Sequence, residues 1–227
     1  MNFKKVLILA AHPDDDILGC GGFISKNINK SQFKIVFIGE GSSCRFNDIK
    51  DKKKIDLEIK KRNNYALKAL KFLKIKKYSF YNLPCGRLDT VPILNIAKII
   101  EKEIESFKPD TVLTHSDKDV NNDHLIVNKA TIQATRPGAL NKINTLMSYE
   151  VLSSTEWKFI ENFQPNYFQE LSEKNINDKI NSFKMYKSEM KQFPHPRSLL
   201  GIKTLSMYRG MQIGSKYAEA FKIIRSF

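Results

Sequence analysis

Short, wholly apolar runs alternate with longer amphipathic stretches along the first 155 or so residues. Val6–Ala11 is apolar throughout and is flanked by lysines and by His12-Pro13, as a strand buried on both faces requires. Phe33–Gly39, Lys77–Tyr81, Thr111–Thr114 and Thr145–Leu152 read as four further strands. Between them the spacing predicts helices over Ile17–Ile28, Asp48–Leu73, Val91–Phe107 and Asp123–Thr135. The second of these is lysine-rich, with Ile55, Leu57, Ile59, Ala66, Leu67, Leu70 and Leu73 as its apolar positions. Strands alternating with helices predict an α/β fold: a Rossmann-like, mainly parallel sheet with helices on both faces.

Past about residue 155 the rhythm changes. Trp157, Phe159, Phe163, Tyr167 and Phe168 give an irregular aromatic stretch. A helix over Leu171–Met190, a Pro194-His195-Pro196-Arg197 turn and two short closing helices are expected to follow. No repeat or low-complexity linker divides the chain. The expectation is one domain over 1–227, with a core of about 1–155 and a C-terminal helical and irregular cap of about 156–227.

Composition narrows the class. With 41% hydrophobic and 27% charged residues among 227, the chain is that of an ordinary globular protein. Lys and Arg number 38 against 24 Asp and Glu, a net charge of +14, which favours anionic partners. The excess is mostly scattered lysine, and neither an arginine-rich tail nor a zinc-finger spacing is present, so no nucleic-acid partner is expected. Cys20, Cys44 and Cys85 form neither a disulfide framework nor a CxxC pair, which suggests a reducing compartment. The opening apolar run is too short for a signal peptide and no segment is long enough to span a membrane, so a cytoplasmic location is expected. Peripheral contact with a membrane surface and the oligomeric state stay open.

Two segments place unusual polar residues at strand ends, where doubly wound sheets bind ligands. One is Ala11-His12-Pro13-Asp14-Asp15-Asp16, after the first strand. The other runs from Thr114-His115-Ser116-Asp117 through Asp119 to Asn121-Asn122-Asp123-His124. Aspartates in series also cap helices. Three of them in a row nevertheless repel one another, and an adjacent dication would reverse that penalty. A histidine and a carboxylate from one loop with a second histidine from the other make three ligands, the count that leaves catalytic zinc a position for water. The same donor set suits Fe2+.

The Ala-His-Pro-Asp-Asp-Asp-x-x-x-Cys-Gly-Gly run from Ala11 to Gly22 resembles the N-terminal signature of the PIG-L/LmbE-like N-acetylglucosaminyl deacetylase family. Asp119-x-Asn121-x-Asp123-His124 resembles its second motif. Asn82-Leu83-Pro84 with Arg87-x-Asp89-Thr90, the block Tyr149 to Trp157, the turn Pro194 to Ser198, and Arg209-Gly210 with Gly214 and Tyr217 to Phe221 resemble a bacterial branch of it. The resemblance implies a zinc-dependent hydrolase that removes the N-acetyl group of an amino sugar or its nucleotide or lipid conjugate. It implies His12, Asp15 and His124 as metal ligands and Asp14 as the general base toward metal-bound water. Asp16 stands where the family usually has Glu and is read as a cap or support. Asn121 stands where many members have a histidine that assists the intermediate. An amide can donate a hydrogen bond there but carries no proton. The proton for the leaving amine is therefore assigned to Asp14, with His195 second.

Other residues carry weaker signals. Arg62, Arg87, Arg136 and Arg197 are candidates for a phosphate-linked sugar, since arginine forks onto phosphate oxygens. Trp157 and Tyr149 are candidates to stack on a sugar ring. His115 and Asp123 are expected to orient the ligands. Two alternatives stand beside this reading: a deacetylase of another glycoside or small conjugate, and a non-catalytic basic module for nucleotide or nucleic acid.

Overall fold

The computed structural model describes residues 3–46, 51–138 and 143–227. Its strands are β1 (Lys5–Ala10), β2 (Gln32–Gly39), β3 (Lys77–Leu83), β4 (Thr111–His115), β5 (Thr145–Tyr149), β6 (Tyr167–Glu170) and β7 (Ala218–Ser226). Its helices are α1 (Asp15–Asn27), α2 (Lys52–Phe72), α3 (Ile93–Phe107), α4 (Asn122–Ala134), α5 (Glu173–Phe183) and α6 (Leu199–Met211). The stretch 48–50, expected to open the second helix, lies outside the described residues.

One seven-stranded sheet runs in the order β3-β2-β1-β4-β5-β7-β6. The first five strands are parallel, and β7 runs antiparallel to both β5 and β6. β1 shows why its sequence had to be apolar throughout. Val6, Ile8 and Ala10 face one core, with α1, α2, α5 and α6 above them. Leu7, Leu9 and Ala11 face the other, against α3 and α4. A period of two with both faces covered leaves no polar position. Helix α3 stops where Lys108 turns left-handed at φ 52° and caps back to the Ile104 carbonyl, just ahead of Pro109.

The C-terminal part departs from expectation in its details. The predicted helix to Met190 ends at Phe183, and the aromatic stretch contains a strand, β6. Only one closing helix forms, and the segment after it is β7. Ala218-Glu219-Ala220-Phe221 is a short mixed run, too short for periodicity alone to separate helix from strand. Burial decides it: Phe221 packs on Phe23 with ring centroids 5.3 Å apart while the same strand pairs with β5 and β6. On α2, Leu57 is 64% exposed, and the stripe turned inward is Ile55, Arg62, Ala66, Ala69 and Leu70.

Candidate metal centre

β1 and β4 are neighbours, but the chain beyond β1 builds outward through β2 and β3 while β5 extends the other edge. Their C-terminal ends therefore flank the switch point of the sheet, where a crevice forms. The loop from β1 into α1 carries His12 and Asp14, and Asp15 is the first residue of α1. The loop from β4 into α4 carries Asp119, and α4 brings Asp123 and His124 in its first turn. The loops are joined at their roots, where the Ala11 N–H donates to His115 Nε2 at 2.8 Å.

His12, Asp15 and His124 converge, with donor atoms within 4.8 Å of one another. Asp15 Oδ2 lies 3.6 Å from His12 Nδ1 and 3.4 Å from His124 Nε2. Each histidine is held from behind by a carboxylate: His12 Nε2 meets Asp123 Oδ2 at 2.8 Å, and His124 Nδ1 meets Asp119 Oδ2 at 3.0 Å. Such partners fix the ring and its tautomer and leave the opposite nitrogen to bind a metal. Asp123 is fixed in turn by the N–H groups of Gly86 (2.6 Å) and Leu88 (3.1 Å). Asp119 accepts from Thr155 Oγ1 at 2.7 Å and from the Ser154 hydroxyl.

The residues fit a cation by an independent test. His124 Nε2 is buried with no hydrogen-bond partner, and it faces Asp15. A buried polar atom left open is costly unless something binds it. Electrostatics agree. Burial alone would lower the His124 pKa, yet Asp15 and Asp119 on either side push it up to about 10. Burial would raise Asp15, but His124 and the other histidines hold it well below the usual range. Three carboxylates around two imidazoles call for positive charge.

Asp14 is at the helix start with φ 123°, a region that non-glycine residues rarely occupy and that stores strain. Its carboxylate is clamped by Arg62 Nη2 on Oδ1 and Arg197 Nη1 on Oδ2, both at 3.0 Å. Glu189 braces the arginines: Oε1 accepts from Arg62 at 3.0 Å, and Oε2 accepts from Arg197 at 3.2 Å and Arg45 at 2.7 Å. Burial raises the Asp14 pKa and the two arginines offset this only in part.

These contacts reassign several expected residues. Arg62 is 5% exposed and also donates to the carbonyls of Pro13 and Gly41. With Arg197, whose Nε donates to Ser153 Oγ at 2.5 Å, it holds Asp14 and leaves no fork free for a phosphate. Arg136 lies past the far end of α4, about 18 Å along the helix from His124 at 1.5 Å per residue, so it does not reach the crevice. Arg87 stays close: it sits between the two N–H groups that hold Asp123, and among the described residues its guanidinium makes no hydrogen bond or ion pair. Asn121 caps α4, its Oδ1 accepting from the Asp123 N–H at 2.9 Å, so its oxygen is committed to the backbone.

Asp16 does not cap α1. It is buried, with Oδ2 unpartnered, and burial pushes its pKa up to about 8. His115 stacks on His124 with centroids 4.0 Å apart, and burial takes its pKa down to about 3, so it stays neutral. Tyr149 is fully buried, donating to the Leu9 carbonyl at 2.8 Å, and so stacks on no sugar. Its ring occupies the space where a Cβ on Gly19 would come within 2.2 Å, hence the glycine. His195 accepts the Arg197 N–H on Nδ1 at 3.0 Å and meets Trp157 edge-on at 6.3 Å, with Trp157 41% exposed. Asp119, Ser154 and Thr155 stand within the sequence motifs but carry no assigned role there, and Glu189 stands in none. Asp119 had a signal in its place five residues before His124. Glu189, in an irregular segment, had none.

The sequence profile of the PIG-L, or GlcNAc-PI de-N-acetylase, family matches residues 7–135. No curated protein matches the chain. Among solved structures it is similar to the N,N'-diacetylchitobiose deacetylase from Pyrococcus horikoshii, at 20% identity and TM-score 0.76, covering 98% of this chain and 84% of that one. It is also similar to a teicoplanin deacetylase in its zinc-inhibited form, at 14% identity and TM-score 0.75, covering 98% and 99%. A third is the 4-carboxy-2-hydroxymuconate hydratase of Pseudomonas putida, at 18% identity and TM-score 0.74, covering 99% and 97%. One fold thus serves more than one reaction, and the site has to choose between them.

Proposed function

The chain belongs to the PIG-L, GlcNAc-PI de-N-acetylase family, and from that premise we propose that it is a metal-dependent deacetylase. Its substrate in this reading is an N-acetylated amino sugar or its nucleotide or lipid conjugate. The observation that carries the reading is the convergence of His12, Asp15 and His124, each imidazole backed by a carboxylate and one nitrogen left open. A divalent cation held by these three side chains, zinc or Fe2+, would polarise the amide carbonyl and make water more acidic.

The chain's own groups supply the rest. Asp14 takes the proton of the attacking water as the tetrahedral carbon forms. Its raised pKa suits a base that must hold that proton and then release it. Arg62 and Arg197 fix both of its oxygens, so the carboxylate cannot swing away between the two transfers. The C–N bond then breaks, the amine nitrogen receives the proton from Asp14, and acetate and free amine leave. His195, whose Nδ1 accepts from Arg197 and whose Nε2 therefore carries hydrogen, is the second candidate donor. Trp157 beside it offers an aromatic face to a sugar ring. Arg87 is the remaining candidate for a phosphate linkage. Among the described residues no helix is long and apolar enough to cross a membrane, and the odd, widely spaced set of cysteines in the sequence supports a reducing, cytoplasmic setting.

The test is acetate release by zinc-loaded protein across free N-acetyl sugars, nucleotide sugars and lipid-linked sugars, with Asp14→Asn as control. Release from one subset, lost in the variant and on chelation, is the expected result. Release that survives chelation would overturn the metal-dependent reading.

A further inference from the structure

Two cysteines that the reaction does not use lie side by side. Cys44 is in the turn Ser43–Arg45 after β2, and Cys85 is in the turn after β3. They are 41 positions apart in sequence, yet their Sγ atoms are 2.9 Å apart and both are free thiols. One buried carboxylate holds the two turns together: Glu40, 2% exposed, accepts the N–H groups of Ser42 (2.5 Å), Ser43 (3.0 Å) and Cys85 (2.9 Å). Gly86, at φ 71°, packs so closely that a Cβ on it would meet the Cys44 Cβ at 3.0 Å. A disulfide needs about 2.05 Å between sulfurs, so the side chains must close by roughly 0.9 Å. Cys44 is exposed and Cys85 is buried, the arrangement of a thiol that meets an oxidant and one that resolves it.

We propose that Cys44 and Cys85 form a redox modification site, in which a hydroperoxide oxidises Cys44 and Cys85 resolves it to a disulfide joining the two turns. The Cys44 thiolate attacks hydrogen peroxide, an S–O bond forms as the O–O bond breaks, and the departing hydroxide takes a proton to become water. The Cys85 sulfur then attacks the Cys44 sulfur. The S–S bond forms, the S–O bond breaks, and the second hydroxide leaves as water with the Cys85 proton. Two thiols give up two electrons, and one peroxide is reduced to two waters. The shared thiol contact supports this order, since the hydrogen bond from Cys85 draws Cys44 down to about 6. The bridge lies one peptide from the Gly86 N–H that holds Asp123, and Asp123 holds His12. Oxidation therefore ties together the two turns that wall the metal centre.

Cys20 is the internal control. It is buried in α1, and burial pushes its thiol up. The experiment treats reduced protein with one equivalent of hydrogen peroxide, unfolds it in guanidinium chloride so that buried thiols react, blocks remaining thiols with N-ethylmaleimide, and maps peptides without reduction. The expected result is a Cys44–Cys85 peptide pair lighter by two hydrogens than its parts, reversed by dithiothreitol, with Cys20 blocked throughout. The bridge should raise the thermal midpoint by about 5 °C, and Cys44→Ser should show neither effect. Cys44 carried to sulfinic acid while Cys85 stays open to N-ethylmaleimide would overturn the proposal, as would linkage between chains.

Discussion

Two buried charged clusters lie along helix α1, and they are finished differently. In the first, Lys179 and Glu219 form an ion pair at 2.6 Å, each less than 5% exposed. Lys179 also donates to the Leu18 carbonyl at 2.7 Å, and Glu219 accepts the N–H groups of Gly22 (2.8 Å) and Phe23 (2.6 Å). Neither side chain has a buried atom without a partner. In the second, at the start of the same helix, His124 Nε2, His115 Nδ1 and Asp16 Oδ2 are all buried and open. Both clusters take ions out of water, which costs several kcal/mol per ion unless the gap is closed. A cluster closed within the protein serves the fold. A cluster left open calls for something from outside.

That contrast can be broken by mutation, starting with the largest effect. Asp14→Asn should cut kcat by about 10²–10⁴-fold while zinc stoichiometry, read by metal analysis, stays unchanged. Loss of zinc along with activity would merge the base with the ligand set. Lys179→Met should do the reverse. It strands Glu219 in the interior and should cost about 3–5 kcal/mol in urea unfolding, with metal affinity intact. Asp119→Asn should weaken zinc binding by about 10–100-fold in a competitive titration, because His124 loses the partner that sets its tautomer. An unchanged affinity would show that Ser154 and Thr155 hold that loop without it.

The smallest effect concerns acid. Burial would raise Glu189, but Arg45, Arg62 and Arg197 hold its pKa at about 2, below the ordinary 4.5. A depressed carboxylate stabilises the fold above its ordinary value, and that stability is lost as pH falls from about 4.5 to about 2. Glu189→Gln should therefore be less stable than wild type at pH 6, and the difference should narrow by pH 3. Urea midpoints at the two pH values measure it, and an equal gap at both would refute it.

Much of this was legible in the sequence because β1 is a continuous apolar run, β4 is a short Thr-Val-Leu-Thr-His strand, and histidines and aspartates follow both. Position along a parallel strand then gives position in the crevice. Arg62, a sequence candidate for a phosphate-linked sugar, instead shares the inward stripe of its helix with Ile55, seven residues before it, and Ala66, four after. Glu189 and Arg197 come from segments with no periodicity, and nothing local says that they meet at Asp14. β7 is not marked in the sequence because Ala218 to Phe221, with Glu219 among its apolar residues, is too short for its period to separate strand from helix until its neighbours are known.

The Glu219 clamp has a consequence for synthesis. The two amides of α1 that it secures are made early, and Gly22 waits 197 residues for its partner. At about 5–20 residues per second, that interval is roughly 10–40 s on the ribosome. Through it the nascent helix that opens with Asp15 has β1 to pack on but lacks the Glu219 clamp that ties it to β7, so this end of the fold is secured only once β7 is made.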